Sequence, residues 1–411
     1  MPNTGHYSGH ISHSDRQAAA VAALSAPGAP FATVRTENGS LVYADGPRTL
    51  REFVEPTWAY GDRPFLLGAG SAAMDPYPYT YGEFFAAATV LANHFVDAYG
   101  LRPGDRTALV MGDRPAWQVA FWAAQLAGLV AVPLDAAWTE DLLAYALDDC
   151  APRVLLVDGE RLPRVRRWAA RREAGAVRTV VRHHGGELDA GTERYEDLPA
   201  PDRYAAPPDI EVRAEDDATI SYVPGPSGRP RGAVATQLAQ AGAAMNARYL
   251  AAVAALGRGG IPGLGAVPVT PLTYPFSRAG TLTRVYAAMA AGGALRVADG
   301  PPRDPGSGIS PSGDGGGSES ESEPESEDTF GLTETCGDVL AGGRPTPVTE
   351  VRIDEAGELW LRGQSLVRGY WGEAPAGEAS AGEASAGEGW FATGVPATLR
   401  DGRVRTGSPA P

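Results

Sequence analysis

From Thr49 to Val181 short apolar runs alternate with amphipathic stretches, the pattern of strands separated by helices. Residues 80–99 predict a helix, because Thr80 can serve as its N-cap and Glu83, three residues on, completes a capping box. Residues 107–111 predict a buried strand, 116–127 a helix and 129–133 a short strand. Thr139 is placed to cap a helix over 140–149. Strands at 154–157 and 176–181 flank a basic-faced helix at 162–172. Strands alternating with helices of this length imply βαβ units and a parallel sheet. Residues 185–208 read as a polar, proline-containing link, and a second strand–turn–helix unit is expected to begin at Ala218. Residues 350–363 alternate apolar and polar side chains, as β-strands do, and Gly357 suits a hairpin turn between them.

The expected fold is α/β: two βαβ subdomains with parallel sheets, followed by a small β-rich subdomain. Residues 1–45 are expected as a flexible extension, 46–205 as the first α/β subdomain and 206–300 as the second. Residues 301–328 are expected as a disordered acidic linker. Residues 329–411 are expected to hold the small β subdomain, with a disordered insert at 372–388 that repeats Gly-Glu-Ala-Ser/Pro-Ala.

Charge and composition narrow the function. The net charge of −15 over 411 residues is concentrated in two segments. Residues 305–328 hold seven acidic side chains and no Arg, and residues 372–388 hold four Glu, which leaves about −4 for the rest. The acidity belongs to linkers, and without a basic face the chain is not expected to bind nucleic acid. Apolar residues make up 43% of the chain, enough for sizeable cores. Two cysteines, Cys150 and Cys336, exclude a disulfide scaffold and a cysteine-based zinc cluster. No run of 18 apolar residues appears, and residues 1–14 lack a basic start with an apolar core. Neither a membrane span nor a secretory leader is therefore expected, and a cytoplasmic setting fits best. His6, His10 and His13, and the pair His183 and His184, read as exposed loop histidines. All 35 basic residues are Arg, so chemistry that needs a lysine ammonium cannot come from this sequence.

The segment with most chemical content is Ala218-Thr-Ile-Ser-Tyr-Val-Pro-Gly-Pro-Ser-Gly-Arg-Pro-Arg-Gly-Ala-Val234. A buried strand enters a Gly/Ser turn that carries cations. Glycines let backbone N–H groups approach a phosphate, and a hydroxyl and a cation complete such a cradle. The pattern alone fits an ordinary strand-to-strand loop as well.

Its wider context resembles the adenylate-forming superfamily of acyl-CoA synthetases, luciferases and peptide-synthetase adenylation domains. Their signature loop reads Tyr-Thr-Ser-Gly-Thr-Thr-Gly-x-Pro-Lys-Gly, and Tyr222, Gly225, Gly228, Pro230 and Gly232 match it in register. Gly100-Leu-Arg-Pro-Gly-Asp-Arg-Thr-Ala-Leu-Val and Gly128-Leu-Val-Ala-Val-Pro-Leu match in order. So do Phe330-Gly-Leu-Thr-Glu-Thr-Cys, Gly357-Glu-Leu-Trp-Leu-Arg-Gly with Gly369-Tyr-Trp, and Gly389-Trp-Phe-Ala-Thr-Gly. Arg114-Pro-Ala-Trp and Pro271-Leu-Thr-Tyr-Pro-Phe-Ser-Arg278 look most like the long-chain fatty-acid–CoA ligase branch.

The resemblance implies a two-step ligase. A carboxylate, such as a fatty acid, attacks the α-phosphate of Mg·ATP, and the CoA thiol then takes the acyl group. It also implies that Gly225, Ser227, Gly228, Arg231 and Gly232 hold phosphates, that Thr333 meets the α-phosphate, and that Glu334 binds Mg²⁺. Thr333 and Glu334 are then the catalytic pair, and Tyr274 lies beside the acyl carboxylate. Several positions depart from the family. Val223, Pro224 and Pro226 replace hydroxyl residues, Arg231 replaces a Lys, and Val395 replaces a ribose-binding Asp. Tyr274 replaces a His, and Ser408 stands about where the hinge has an Arg. The acidic linker stands where the family has an α/β stretch that ends in the adenine-binding motif. The sequence stops at Pro411, where the family begins its C-terminal lid. These departures predict a synthetase-like protein impaired in the full reaction, or a non-catalytic relative that binds an acyl ligand or a protein. An intact synthetase or a separate lid domain is the implied partner.

Overall fold

The computed structural model describes residues 18–19, 22–37, 39–68, 79–173, 175–183, 185–189, 191–225, 228–261, 268–272, 275–297, 329–373 and 389–407. The chain begins with a hairpin, β1 (Thr33–Arg35) and β2 (Leu41–Tyr43). After α1 (Leu50–Val54), β3 (Pro64–Leu67) pairs with β4 (Tyr79–Thr80). α2 (Tyr81–Asp97) carries the expected capping box: the Thr80 side chain accepts from the Glu83 N–H, and the Glu83 carboxylate accepts from the Thr80 N–H at 2.9 Å. Then β5 (Arg106–Val110), α3 (Pro115–Leu126), β6 (Val130–Pro133), α4 (Glu140–Cys150), β7 (Val154–Asp158), α5 (Leu162–Ala170) and β8 (Arg178–Arg182) alternate as the periodicity predicts.

β9 (Thr192–Arg194) precedes β10 (Asp217–Val223), β11 (Arg231–Thr236) and the long α6 (Gln237–Gly257). β12 (Val269–Leu272), α7 (Ala279–Ala291) and β13 (Ala294–Val297) complete the α/β part. The remainder is β14 (Thr329–Leu332), β15 (Gly337–Ala341), β16 (Arg344–Pro345), β17 (Thr349–Ile353), β18 (Glu358–Gly363), β19 (Gly369–Tyr370), β20 (Phe391–Arg400) and β21 (Arg403–Thr406).

The main sheet runs β19-β11-β10-β6-β5-β7-β8-β9 and is parallel from β10 to β9. A second sheet runs β12-β13-β3-β4, parallel across its first three strands. α2, α3 and α7 lie between the two sheets. Leu109 and Leu156 of the first sheet and Leu66 and Leu295 of the second join one core with Phe84, Trp117, Trp122 and Tyr286. The other face of the main sheet, through Val110, Val132, Leu155 and Val157, packs on Leu143, Leu147 and Trp168 of α4 and α5. These strands are covered on both faces, which is why their sequences read as unbroken apolar runs. The β-rich end has its own small core of Val339, Leu340, Leu359, Leu361, Ala397 and Val404. β17 and β18 form the expected hairpin, and Gly357 turns it at φ +82°.

Four expectations need correction. The segment after Ala218 is strand–loop–strand before it is helix. β10 and β11 pair antiparallel, and α6 starts only where Thr236 caps it by accepting from the Ala239 N–H. Residues 232–235 are short apolar residues already committed to a sheet, so the helix waits for the capping hydroxyl of Thr236. Next, the residues expected as a flexible extension include folded structure. Phe31, just before β1, and Tyr43, the last residue of β2, pack edge-on against each other, and Phe31 also packs edge-on against Tyr249 of α6. The sheets also do not divide at residues 205/206. β10 and β11 complete the main sheet, while β3 crosses into the second through Leu66 opposite Leu295. The polar link at 185–208, finally, contributes β9 as an edge strand. Residues 301–328 and 374–388, His6, His10, His13, His184 and Ser408 lie outside the described residues.

Candidate functional site

The candidate phosphate loop leaves the end of β10 and returns as β11. Tyr222 anchors the way in, because its hydroxyl donates to Asp149 Oδ2 at 2.6 Å and so ties β10 to α4. The loop closes on itself through the Gly228 N–H to the Gly225 carbonyl at 3.1 Å. A Cβ at Gly225 would overlap the Arg229 carbonyl oxygen and lie 3.0 Å from the Arg231 side chain, so this turn admits only glycine. Gly232 is equally confined: a Cβ there would lie 2.7 Å from Ile220 and 3.3 Å from the Trp371 side chain.

β19 brings distant residues to this loop. It pairs antiparallel with β11, Ala233 opposite Tyr370, and the Trp371 N–H donates to the Gly232 carbonyl at 2.7 Å. The Arg231 guanidinium thereby lies 3.7 Å from the centre of the Tyr370 ring, a cation–π stack. The Tyr370 hydroxyl donates to Glu334 Oε1 at 3.0 Å. One aromatic ring therefore carries a cation on its face and a carboxylate at its hydroxyl. Burial, followed by the Glu334 charge, pushes the Tyr370 hydroxyl well above the usual tyrosine range, so it stays a proton donor.

The turn Thr333–Thr335 that presents Glu334 is fixed from beneath. Thr335 is fully buried; its hydroxyl lies 2.7 Å from the Leu332 N–H, which donates to it, and 2.7 Å from the Gly337 carbonyl. The Val367 N–H donates to the Glu334 carbonyl at 2.9 Å. Cys336 and Val367 sit on Ala235, Ala239 and Ala243, small residues that let the turn approach β11 and α6 closely. Both cysteines are buried, and burial raises the Cys336 thiol, so neither is poised as a thiolate.

The structure thus gathers Gly225, Gly228, Arg231, Gly232, Thr333 and Glu334 around one edge of the main sheet. Ser227 and Tyr274 lie outside the described residues. Sequence reasoning missed Tyr370, Thr335 and Glu373. Glu373 accepts from Arg231, with Nε at 2.9 Å from Oε1. The Gly369-Tyr-Trp motif was the available signal for Tyr370, and nothing local marks its contact with Arg231. Among the described residues no cluster of three or more His, Cys, Asp or Glu could hold a metal. His183 is paired to Glu196, with Nδ1 at 3.1 Å.

The loop that follows position 274 is held by Asp113, whose Oδ1 accepts from the Phe276 N–H at 2.7 Å. Burial pushes the Asp113 carboxyl up to about 6, against the pull of that hydrogen bond; Asp135 and Asp158 raise it further and Arg161 lowers it. An acid whose folded value is raised binds its proton more tightly when folded, so its contribution to stability falls as pH rises from about 4 to about 6. Asp113→Asn cannot ionise. Its stability relative to wild type should therefore increase across that window, by at most about 1.4 kcal/mol per pH unit. Denaturant unfolding of both proteins at a series of pH values tests this, and parallel stability curves would refute it.

Residues 57–308 match the family model described as AMP-binding enzyme. The match spans more than half of the chain, which belongs to that family. The chain is 29% identical over 373 residues to a feruloyl-CoA synthase of Amycolatopsis sp, covering 78% of this chain and 71% of that protein. It is 29% identical over 155 residues to the long-chain-fatty-acid–CoA ligase FadD13 of Mycobacterium tuberculosis, covering 37% of this chain and 29% of the relative. In fold it is similar to the N-terminal domain of FACL13 from M. tuberculosis, with TM-score 0.64, 18% identity, and coverage of 88% of this chain and 100% of that one. It is also similar to the anthranilate–CoA ligase AuaEII in complex with anthranoyl-AMP, with TM-score 0.66, 16% identity, and coverage of 87% and 77%. The α/β fold with parallel sheets is that of the N-terminal domain of acyl-CoA synthetases. No helix among the described residues is long and apolar enough to cross a membrane.

Proposed function

We propose that this chain is an AMP-forming carboxylate–CoA ligase-like protein that binds Mg·ATP and a long-chain fatty acid, and that it is impaired in the complete reaction. The observation that carries the proposal is the junction at Tyr370, where Arg231 and Glu334 meet on one ring. A cation beside a carboxylate is what a magnesium–triphosphate needs. Arg231 meets phosphate oxygens with a planar fork, and Glu334 offers Mg²⁺ a hard oxygen. Gly225, Gly228 and Gly232 keep the backbone low beside the phosphates, and Thr333 stands next to Glu334 for the α-phosphate. When bound, ATP supplies the electrophilic phosphorus and CoA the accepting thiol; the chain's residues position them and balance charge.

Support for impairment lies in the same loop. Val223 offers no hydroxyl and Pro224 no N–H where the family places hydrogen-bonding residues. Each missing hydrogen bond to a charged oxygen costs about 1.5–3 kcal/mol. Val395 cannot accept from a ribose hydroxyl, and these 411 residues include no lysine; a separate lid domain or an intact synthetase is the proposed partner that supplies one. The same lost donors favour, as a second reading, a non-catalytic protein that binds an acyl ligand or a partner. A cytoplasmic setting belongs to the proposal.

The test is ATP–pyrophosphate exchange with a panel of long-chain and aromatic acids, with M. tuberculosis FadD13 assayed alongside. Exchange roughly 100-fold or more below FadD13, lost in Glu334→Ala, is the expected result, since two missing charged hydrogen bonds are worth at least that factor. Exchange equal to FadD13 would remove the impairment. Exchange unaffected by Glu334→Ala would remove the site.

A further inference from the structure

Glu373 engages Arg231 with both carboxylate oxygens: Nε lies 2.9 Å from Oε1, and Nη2 lies 2.5 Å from Oε2. A carboxylate and a phosphate present the same pair of oxygens to a guanidinium fork, and one fork edge serves one of them at a time. The stack on Tyr370 covers one face of the Arg231 guanidinium and fixes the plane in which its Nε/Nη2 edge, the one Glu373 holds, can meet an oxyanion.

The backbone that carries Glu373 is clamped to the site. The Trp371 N–H donates to Gly232, the Trp371 ring N–H donates to the Asp149 carbonyl at 3.1 Å, and the Glu373 N–H donates to the Tyr370 carbonyl at 3.2 Å. The side chain itself is 44% exposed, so it can rotate into water without moving the turn. The backbone thus keeps the carboxylate at the loop, while solvent makes its release cheap.

We propose that Glu373 is a built-in competitor for the anion subsite of Arg231 and sets the affinity of the site for nucleotide phosphates. This rests on the nucleotide reading above. It adds that the chain carries its own phosphate surrogate, displaced when the triphosphate binds.

The test is calorimetric titration of the full chain with Mg·ATP, and separately with inorganic pyrophosphate, for wild type, Glu373→Gln, Arg231→Ala and the double variant. Glu373→Gln should bind Mg·ATP about three- to fivefold more tightly than wild type, the upper part of the range expected when a half-exposed ion pair no longer competes. Its melting temperature should stay the same or fall, so a gain in affinity cannot come from a stiffer fold. In the Arg231→Ala background the same substitution should leave the Kd within about twofold, because no fork remains to compete for. An equal gain in that background would mean general charge repulsion and would overturn the proposal. Wild type and Glu373→Gln binding with equal Kd would overturn it too, and leave the nucleotide reading standing. Failure of both to bind either probe while folded would overturn the nucleotide reading along with it.

Discussion

Replacing Arg231 with alanine is expected to weaken Mg·ATP binding by roughly 10- to 100-fold, the equivalent of one charge-assisted hydrogen-bond pair worth about 1.5–3 kcal/mol. The reasoning is local. Arg231 begins β11, its guanidinium lies on the Tyr370 ring, and its nearest described anion is a side chain that can move aside. Removing the guanidinium takes away the cation that meets the phosphate oxygens, and the half-exposed Glu373 carboxylate is then free to turn into water. Arg231→Lys should lose less, since it keeps the charge and gives up only the bidentate fork and the stack. Calorimetric titration measures all three proteins, and thermal unfolding confirms that each is folded. Affinity unchanged in Arg231→Ala would place the phosphates elsewhere.

The second large effect concerns the core that holds the two sheets together. Trp122 of α3 is completely buried and meets the Phe121 ring at 5.6 Å and the Tyr286 ring at 6.1 Å, both edge-on. Tyr286 belongs to α7, and its hydroxyl donates to Gln240 of α6, whose amide in turn donates to Thr219 of β10. A cavity at Trp122 therefore opens where both sheets meet the central helices. Trp122→Ala should cost about 3–5 kcal/mol of unfolding free energy. Among the described residues the buried indole N–H of Trp122 has no hydrogen-bond partner, so Trp122→Phe removes an unsatisfied donor while keeping a ring. It should cost clearly less than alanine. Denaturant unfolding separates the cases, and a loss below about 1 kcal/mol for Trp122→Ala would mean that the site collapses to fill the space.

Much of this core could be read along the chain. Residues 108–110, 130–133 and 154–157 are apolar on both faces of a parallel sheet, so their strands stand out without any alternation. The N-terminus of α2 is written in the spacing of Thr80 and Glu83, a contact within one turn. Pairings over long distances were harder to read. β3 finds β13 across more than two hundred residues, and no local pattern in Pro64–Leu67 assigns it to one sheet over the other. The β1–β2 hairpin is three residues per strand, too short for a period to show, and it is held by Tyr249 of α6.

The site divides in the same way. Gly225, Gly228, Arg231 and Gly232 lie in one loop, and Thr333 and Glu334 in one turn, so each group is visible as a motif. What joins the groups is Tyr370, on a two-residue strand paired with Ala233 and Val234; its ring carries Arg231 and its hydroxyl reaches Glu334, 36 residues earlier. Only the folded sheet edge makes that connection. Glu373 was visible merely as the first glutamate of an acidic repeat, and its pairing with Arg231, 142 residues away, is a property of the fold.

On the proposed reading, the Arg231–Tyr370–Glu334 junction is a magnesium–nucleotide site. The most direct measurement is the equilibrium affinity for ATP with Mg²⁺ and with EDTA, in wild type and in Glu334→Ala. Glu334 is the protein's ligand to the ion in this account, so wild type should bind ATP more tightly with Mg²⁺ than without it. Glu334→Ala should bind with the same weak affinity in both conditions. A wild-type affinity indifferent to Mg²⁺, or a magnesium gain fully kept in Glu334→Ala, would contradict the account.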